Sequence, residues 1–361
     1  MVPIPTEPVP AIVAGLAAIA LLAFVLPLVS RKIEENLEPF FLVLGAAAVT
    51  VSGLWSGELI REALKAPVMI GRLPVGIFQV VLVFGILIHF YNRPFLKAVL
   101  RLVHVLGPRV FVFALVAAFG LLASVMSVIL AACLLSEIIA GLPMAKADRI
   151  RLVVAACFAA GMGACLTPLG EPLSTILVAK LAGPPHMAGF FFPLRHLGIY
   201  ILPGVLGLAL LTAAKLGPRI AVHGHEHVVE YPETLGGVVL RAVRVFFFIA
   251  ALVLLGEGFR PLVAWYFTGI PAGALYWLNS VSAVLDNATL TAIEIGPALA
   301  LPQIVAIVMG LSIAGGMLIP GNIPNIVAAG RMKIRMKEWA RVGVPVGLAV
   351  MAVYYVVLFV F

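Results

Sequence analysis

The chain has 361 residues, 63% of them hydrophobic and only 11% charged, with a mean hydropathy of +1.16 and a formal charge of +8. Soluble domains carry about a quarter charged residues, so this is a polytopic all-α membrane protein with no room for a separate soluble domain. The basic excess sits in short loops between apolar runs. A positive-inside bias accounts for it without a nucleic-acid partner.

Along the chain, Ala11–Ser30 has no basic residues before it and reads as a first permanent span, not a signal peptide. A second span covers 39–55. The outer segment 56–73 mixes Arg61, Lys65 and Arg72 with Glu58 and Glu62 and reads as an interfacial helix. A third span, 74–91, returns inward. In Phe95–Arg109, one face carries Phe95, Val99, Leu102 and Leu106 and another Lys97, Arg101 and His104, the pattern of a helix lying along the inner leaflet.

Basic clusters at 31–32, 93–109, 146–151, 215–244 and 331–341 are assigned to the cytoplasm. Segment 109–142 begins and ends beside such charge, so it enters and leaves on one side as a re-entrant hairpin. Residues 150–180 then cross outward, 196–214 cross back, and 215–237 form a cytoplasmic linker. Residues 238–256 cross outward, 262–297 form a second hairpin open to the outside, 302–330 cross inward, and 342–361 finish outside. The organisation is N-terminal spans (1–73), a first repeat (74–214), the linker, and a second repeat (238–361). Both termini are extracytoplasmic in a multi-pass protein of the cell (inner) membrane.

The halves resemble each other. SVILAACLLSEI (127–138) aligns with SAVLDNATLTAI (282–293), placing Leu130-Ala131-Ala132 opposite Leu285-Asp286-Asn287. GACLTPLGEP (163–172) aligns with GGMLIPGNIP (315–324), and Pro168/Pro172 match Pro320/Pro324. With their orientations opposed by charge, the expected fold is an inverted-repeat transporter with two re-entrant hairpins and two broken helices.

Two prolines four residues apart disfavour a continuous helix. The backbone groups they release must face protein, water or an ion. Thr167, Asn322 and Asn325 add neutral oxygens there, a set suited to a hard cation, while half-helix N-termini would attract an anion. The acidic residues Asp286, Glu137, Glu171 and Glu294 lie in or beside these stretches. A carboxylate at membrane depth costs about 2.5–3.5 kcal/mol on insertion scales. Asp286 is the first candidate to bind a proton and a metal cation in turn, and Glu171 the second. Glu137 and Glu294 read equally as helix-end residues. Glu257, near Arg260, reads as outer-loop surface.

SAVLDNATLTA resembles the S-A-x-x-D-N signature of NhaD-type sodium/proton antiporters, and LTPLGEP and IPGNIPNIV resemble their Gly/Pro-rich stretches. These belong to the ion transporter superfamily; length and pattern look most like its putative cation transporter family. The resemblance implies scaffold and transport parts, elevator-like alternating access and a homodimer. It puts Asp286 and Asn287 at ion-binding places in the second hairpin, and Thr167, Asn322 and Asn325 in the two broken helices. The ion-binding candidates are thus Asp286, Asn287, Thr167, Glu171, Asn322 and Asn325, and those for proton coupling are Asp286, Glu171 and Glu137. No cofactor is expected, and no metal beyond the transported cation.

The sequence supports sodium (or lithium)/proton antiport. Sodium- or proton-coupled carriage of a dicarboxylate or oxyanion is the alternative, and a channel a further one. An intramembrane enzyme would need a nucleophile–base pair, a metal dyad or paired aspartates, and none is visible. His223, His225 and His227 in HGHEH are read as a solvated loop, with metal binding or pH sensing as the other option.

Overall fold

The computed structural model describes residues 3–5, 7–34, 36–69, 77–125, 128–220, 234–266, 270–285, 287–296 and 299–360, and among them the chain is helical with no strand. Hydrocarbon offers no partner to backbone N–H and C=O groups, and helices satisfy these within one segment. Among the described residues, four helices are long and apolar enough to cross a membrane: Pro10–Pro27, Phe192–Arg219, Leu235–Leu262 and Met336–Phe359.

The N-terminal part comprises α1 (Pro10–Val29), the short α2 (Arg31–Glu34), α3 (Leu37–Ser52) and α4 (Gly57–Lys65). In α4 the Ser56 hydroxyl accepts the Leu59 N–H at 3.0 Å, a helix cap. Leu59 and Ala63 turn inward while the charged face stays exposed, the amphipathic pattern expected for 56–73. Next, α5 (Ile77–Leu106) corrects the sequence reading. A span followed by a separate interfacial helix is expected, yet one helix runs through Pro94 to Leu106. Its end buries Val103, leaving Leu102 and Leu106 outward.

Two helix pairs follow. The first is α6 (Pro108–Leu122) and α7 (Val128–Ala140), leading into α8 (Lys146–Ala164), α9 (Pro172–Lys180) and α10 (Phe192–Leu216), which ends in a 3-10 turn, Gly217–Arg219. The long α11 (Leu235–Tyr266) precedes the second pair. This consists of α12 (Ala272–Leu278), continued by a 3-10 turn (Asn279–Ala283), and α13 (Asn287–Glu294). Last come α14 (Leu301–Ala314), α15 (Ile323–Met332) and α16 (Met336–Phe359).

The reach of α11 is a second correction. Glu257 and Arg260 are not in an outer loop but inside this helix, paired at 2.9 Å with side chains 17% and 14% exposed. Charges three residues apart share a helix face, and their pairing lets the helix continue past Pro261 to Tyr266. The second pair therefore begins near residue 272, not 262.

Helices α8 and α14 form the centre. Nearly every residue of Ile150–Ala164 and Ile304–Ala314 is buried, as expected of helices apolar on all sides. In contrast, α1, α10 and α16 expose apolar side chains such as Leu21, Ile199, Leu210 and Val353.

Parts of four basic clusters gather at one end. There Lys146 pairs with Glu338 at 2.6 Å, and Asp148 pairs with both Arg151 and Arg219 at 2.7 Å. Arg109 packs against Gly217 at the same end. The opposite end is marked by His186 against the Leu299 carbonyl, Gln303 against that of Ile270, and Trp265 donating to the Pro5 carbonyl. Consequently α8 starts at the basic end and α14 at the other.

Candidate functional site

Both central helices end in mid-protein and resume after a turn. The first break spans Cys165–Glu171 between α8 and α9, and the second Gly315–Asn322 between α14 and α15. The prolines at 168, 172, 320 and 324 deny these stretches helical N–H donors. Glu171 and Asn322 each precede a resumed half-helix, with extended backbones (φ −151° and −152°). Neither side chain caps its own helix.

The first break is closely stitched. The Ser174 hydroxyl donates to the Thr167 carbonyl at 2.6 Å, and the Thr175 hydroxyl to that of Pro168 at 2.6 Å. The Thr167 hydroxyl donates to the Ser124 carbonyl in the α6–α7 turn and accepts the Leu169 N–H at 3.2 Å. Its oxygen is committed to holding the break, a structural role the sequence reading did not foresee. The Glu171 carboxylate accepts from the Cys165 thiol at 2.8 Å and is buried.

The second break uses amides. Asn325 Nδ2 donates to the Gly315 and Leu318 carbonyls, each at 2.8 Å, leaving its buried Oδ1 without a partner. The Asn322 Nδ2 is likewise buried and unpartnered, and it lies against Gly161 of α8, where any side chain would displace it. In the orientation that satisfies its amide, Asn287 Nδ2 donates to the Leu311 carbonyl at 3.1 Å and to the Gly321 carbonyl and Ser282 hydroxyl at 3.2 Å. Ser282 itself donates to the Leu311 carbonyl at 3.0 Å.

The two breaks match in register. Ser174 and Asn325 each sit three residues past the residue that opens the half-helix. Each donates to a turn carbonyl, Thr167 in one case and Leu318 in the other. Gly170 and Gly321 occupy the preceding turn position. A Cβ on Gly170 would strike the Ala164 and Ala123 carbonyls, and one on Gly321 those of Gly315 and Ser282. All three pairings are 151 residues apart, whereas the Pro-x-x-x-Pro match implies 152, so that alignment is one residue out at the breaks. At the paired helices Ala123 answers Ser282, four residues from the Ser127–Ser282 match.

The structure thus brings Thr167 and Glu171 to the first break and Asn287, Asn322 and Asn325 to the second. The two breaks meet across α8 and α14, where Ser312 faces Cys165. Asp286 and His223, His225 and His227 lie outside the described residues. Glu137 stands apart. It is buried on α7 in a two-pronged ion pair with Arg331 of α15, Oε2 to Nε at 2.5 Å and Oε1 to Nη2 at 2.8 Å. That geometry commits both carboxylate oxygens to the Arg331 guanidinium and ties α7 to α15, which favours a structural role.

Ser174, Ser282, Ser312 and Cys165 were missed. A repeat aligned on the glycine before each half-helix, instead of on the prolines, would have set Ser174 opposite Asn325. Chemically, the junction offers one carboxylate, an unmet amide oxygen, an unmet amide N–H and two half-helix N-termini, with no basic side chain among its described residues. Among curated proteins none matches the chain. Over residues 13–361 it matches DUF1646, described as a protein of unknown function, and it belongs to that family.

Proposed function

We propose that this chain is a secondary active cation transporter of the cell membrane, exchanging sodium or lithium for protons. In this reading the two helix pairs are re-entrant hairpins and the two halves form an inverted repeat. The observation that carries it is the pair of matched breaks at the centre of the fold, holding a buried carboxylate and no basic group. Opposed halves with interrupted helices at corresponding places are a hallmark of alternating-access carriers. The opposite starting ends of α8 and α14 support that arrangement. So does the packing, in which α7 lies on α15 while α13 lies on α9.

Asp286, by its resemblance to the antiporter motif, binds proton and metal cation in turn beside Asn287, with Glu171 as the second carboxylate. Elevator-like movement of the broken helices with their hairpins would carry the site across. A homodimer, with both termini outside, completes the proposal. One observation favours a second reading: the N-termini of α9 and α15 and the unmet Asn322 N–H suit an anion, as in sodium- or proton-coupled carriage of a dicarboxylate or oxyanion.

Proteoliposomes with an imposed pH gradient and a pH-sensitive dye separate the two. Addition of sodium or lithium should collapse the gradient in wild type and fail to do so in Asp286→Asn. If no cation acts, while a dicarboxylate or arsenite does, the anion reading replaces the first.

A further inference from the structure

Away from the junction of the breaks, a second carboxylate is buried with no charged partner among the described residues. Glu294 ends α13, and both its oxygens are shielded and unpartnered. Facing it is Asn279, at the start of the 3-10 turn after α12, with its residue fully buried and both amide atoms also unpartnered. Asn279 is held there by α14, whose Gly310 packs against its Cβ and against the Tyr276 carbonyl. Four buried polar atoms without hydrogen bonds in one place are exceptional in a folded protein.

No described charge offsets the carboxylate. The elements packed on α13 are α9, α11 and α14. The charged residue of α9 is Lys180, which has an interaction of its own. On α11, Glu257 and Arg260 pair with each other, while Arg241 and Arg244 sit near its other end. Neither α14 nor α12 carries a charge. Asp286 lies eight residues before Glu294. A hard cation takes about six or more oxygens, and one carboxylate with one amide oxygen falls short of that.

We propose that Glu294 and Asn279 form a proton-binding site distinct from the junction of the breaks. An ionised carboxylate is an acceptor only and would leave the Asn279 Oδ1 without a donor. A proton from solution, taken up on one Glu294 oxygen, changes this. The new O–H donates to Asn279 Oδ1, and Asn279 Nδ2 donates to the other Glu294 oxygen. All four atoms are then satisfied in a closed acid–amide pair. The site rests on its own geometry; its use as a carrier of the exchanged proton rests on the antiport reading.

Infrared spectroscopy of the purified protein in lipid bilayers at neutral pH, in H₂O and D₂O, tests it. Wild type should show a protonated-carboxyl C=O band that shifts on deuteration. The Glu294 component, read as the difference between wild type and Glu294→Gln, should persist in the Glu171→Gln and Asp286→Asn backgrounds, and it should move to the frequency of a free acid in Asn279→Leu. Should Glu294→Gln not fold, Glu294→Asp keeps an acid at a different distance and should shift the band. A spectrum unchanged in Glu294→Gln or in Glu294→Asp, or no protonated band at neutral pH, would overturn the site. Because protonation is read at rest, this outcome is independent of whether flux occurs.

Discussion

The break at Cys165–Glu171 and the break at Gly315–Asn322 share a backbone and differ in what they leave unmet. In the first, short hydroxyl side chains close the turn carbonyls, and the residue opening the half-helix is the acid Glu171. In the second, a single asparagine bridges two carbonyls, the opening residue is the neutral Asn322, and one oxygen and one N–H stay without partners. Backbone geometry has been kept in both while the chemistry has diverged: among the described residues the carboxylate lies in the first break and the open hydrogen-bonding capacity in the second. A single cation at their junction could draw on both.

The largest expected effect lies outside that junction. Arg331→Ala strands the buried Glu137 carboxylate, and losing one partner of a buried pair costs about 3–5 kcal/mol. Thermal unfolding in detergent should show a large fall. Glu137→Gln combined with Arg331→Met should recover most of it, and activity in the double variant should persist, since the pair is structural. If the double variant stays folded but loses proton coupling, Glu137 has the role that its ion pair argues against.

Next come the glycines that seat each break. Gly170→Ala and Gly321→Ala place a methyl against backbone carbonyls that cannot rotate away, an overpacking cost of about 1–3 kcal/mol or more. Equal losses of stability would support the shared register, and an effect at one position alone would break it.

More telling is the contrast between the stitching residues. Asn325→Leu leaves the Gly315 and Leu318 carbonyls unsatisfied, at about 1–3 kcal/mol for each buried group stranded. Ser174→Ala removes one donor, and its cost should be the lesser of the two in the same assay. The smallest stability change is expected for Gly161→Ala, which meets only the movable end of the Asn322 side chain. Its effect should appear in cation dependence; unchanged cation dependence would remove Asn322 from the site.

Much of the architecture is legible in the sequence because lipid imposes simple rules. Long apolar runs, and the proline pairs that interrupt two central helices, are local features, and the breaks stand where the prolines put them. What escaped was non-local. Nothing near Glu137 announces its partner, which lies 194 residues away in sequence. Glu257 and Arg260 read as outer-loop surface, yet the pair neutralises itself and the helix continues. The repeat register slipped because prolines are tolerated at either of the first helical positions, whereas the glycines are fixed by carbonyls contributed from the adjoining helix pair. Thr167 looks like a cation ligand by composition, but its hydroxyl is engaged in the break itself, whereas Asn325 spends only its Nδ2 there and keeps its Oδ1 unmet.

The central claim is that a cation displaces a proton at the junction of the two breaks. Its most direct test is proton release on adding sodium to the purified protein in weakly buffered solution. Wild type should release protons, Glu171→Gln and Asp286→Asn should each reduce or abolish that release, and Glu137→Gln with Arg331→Met should retain it. No release from folded wild type, or a release that survives in both Glu171→Gln and Asp286→Asn, would contradict the account.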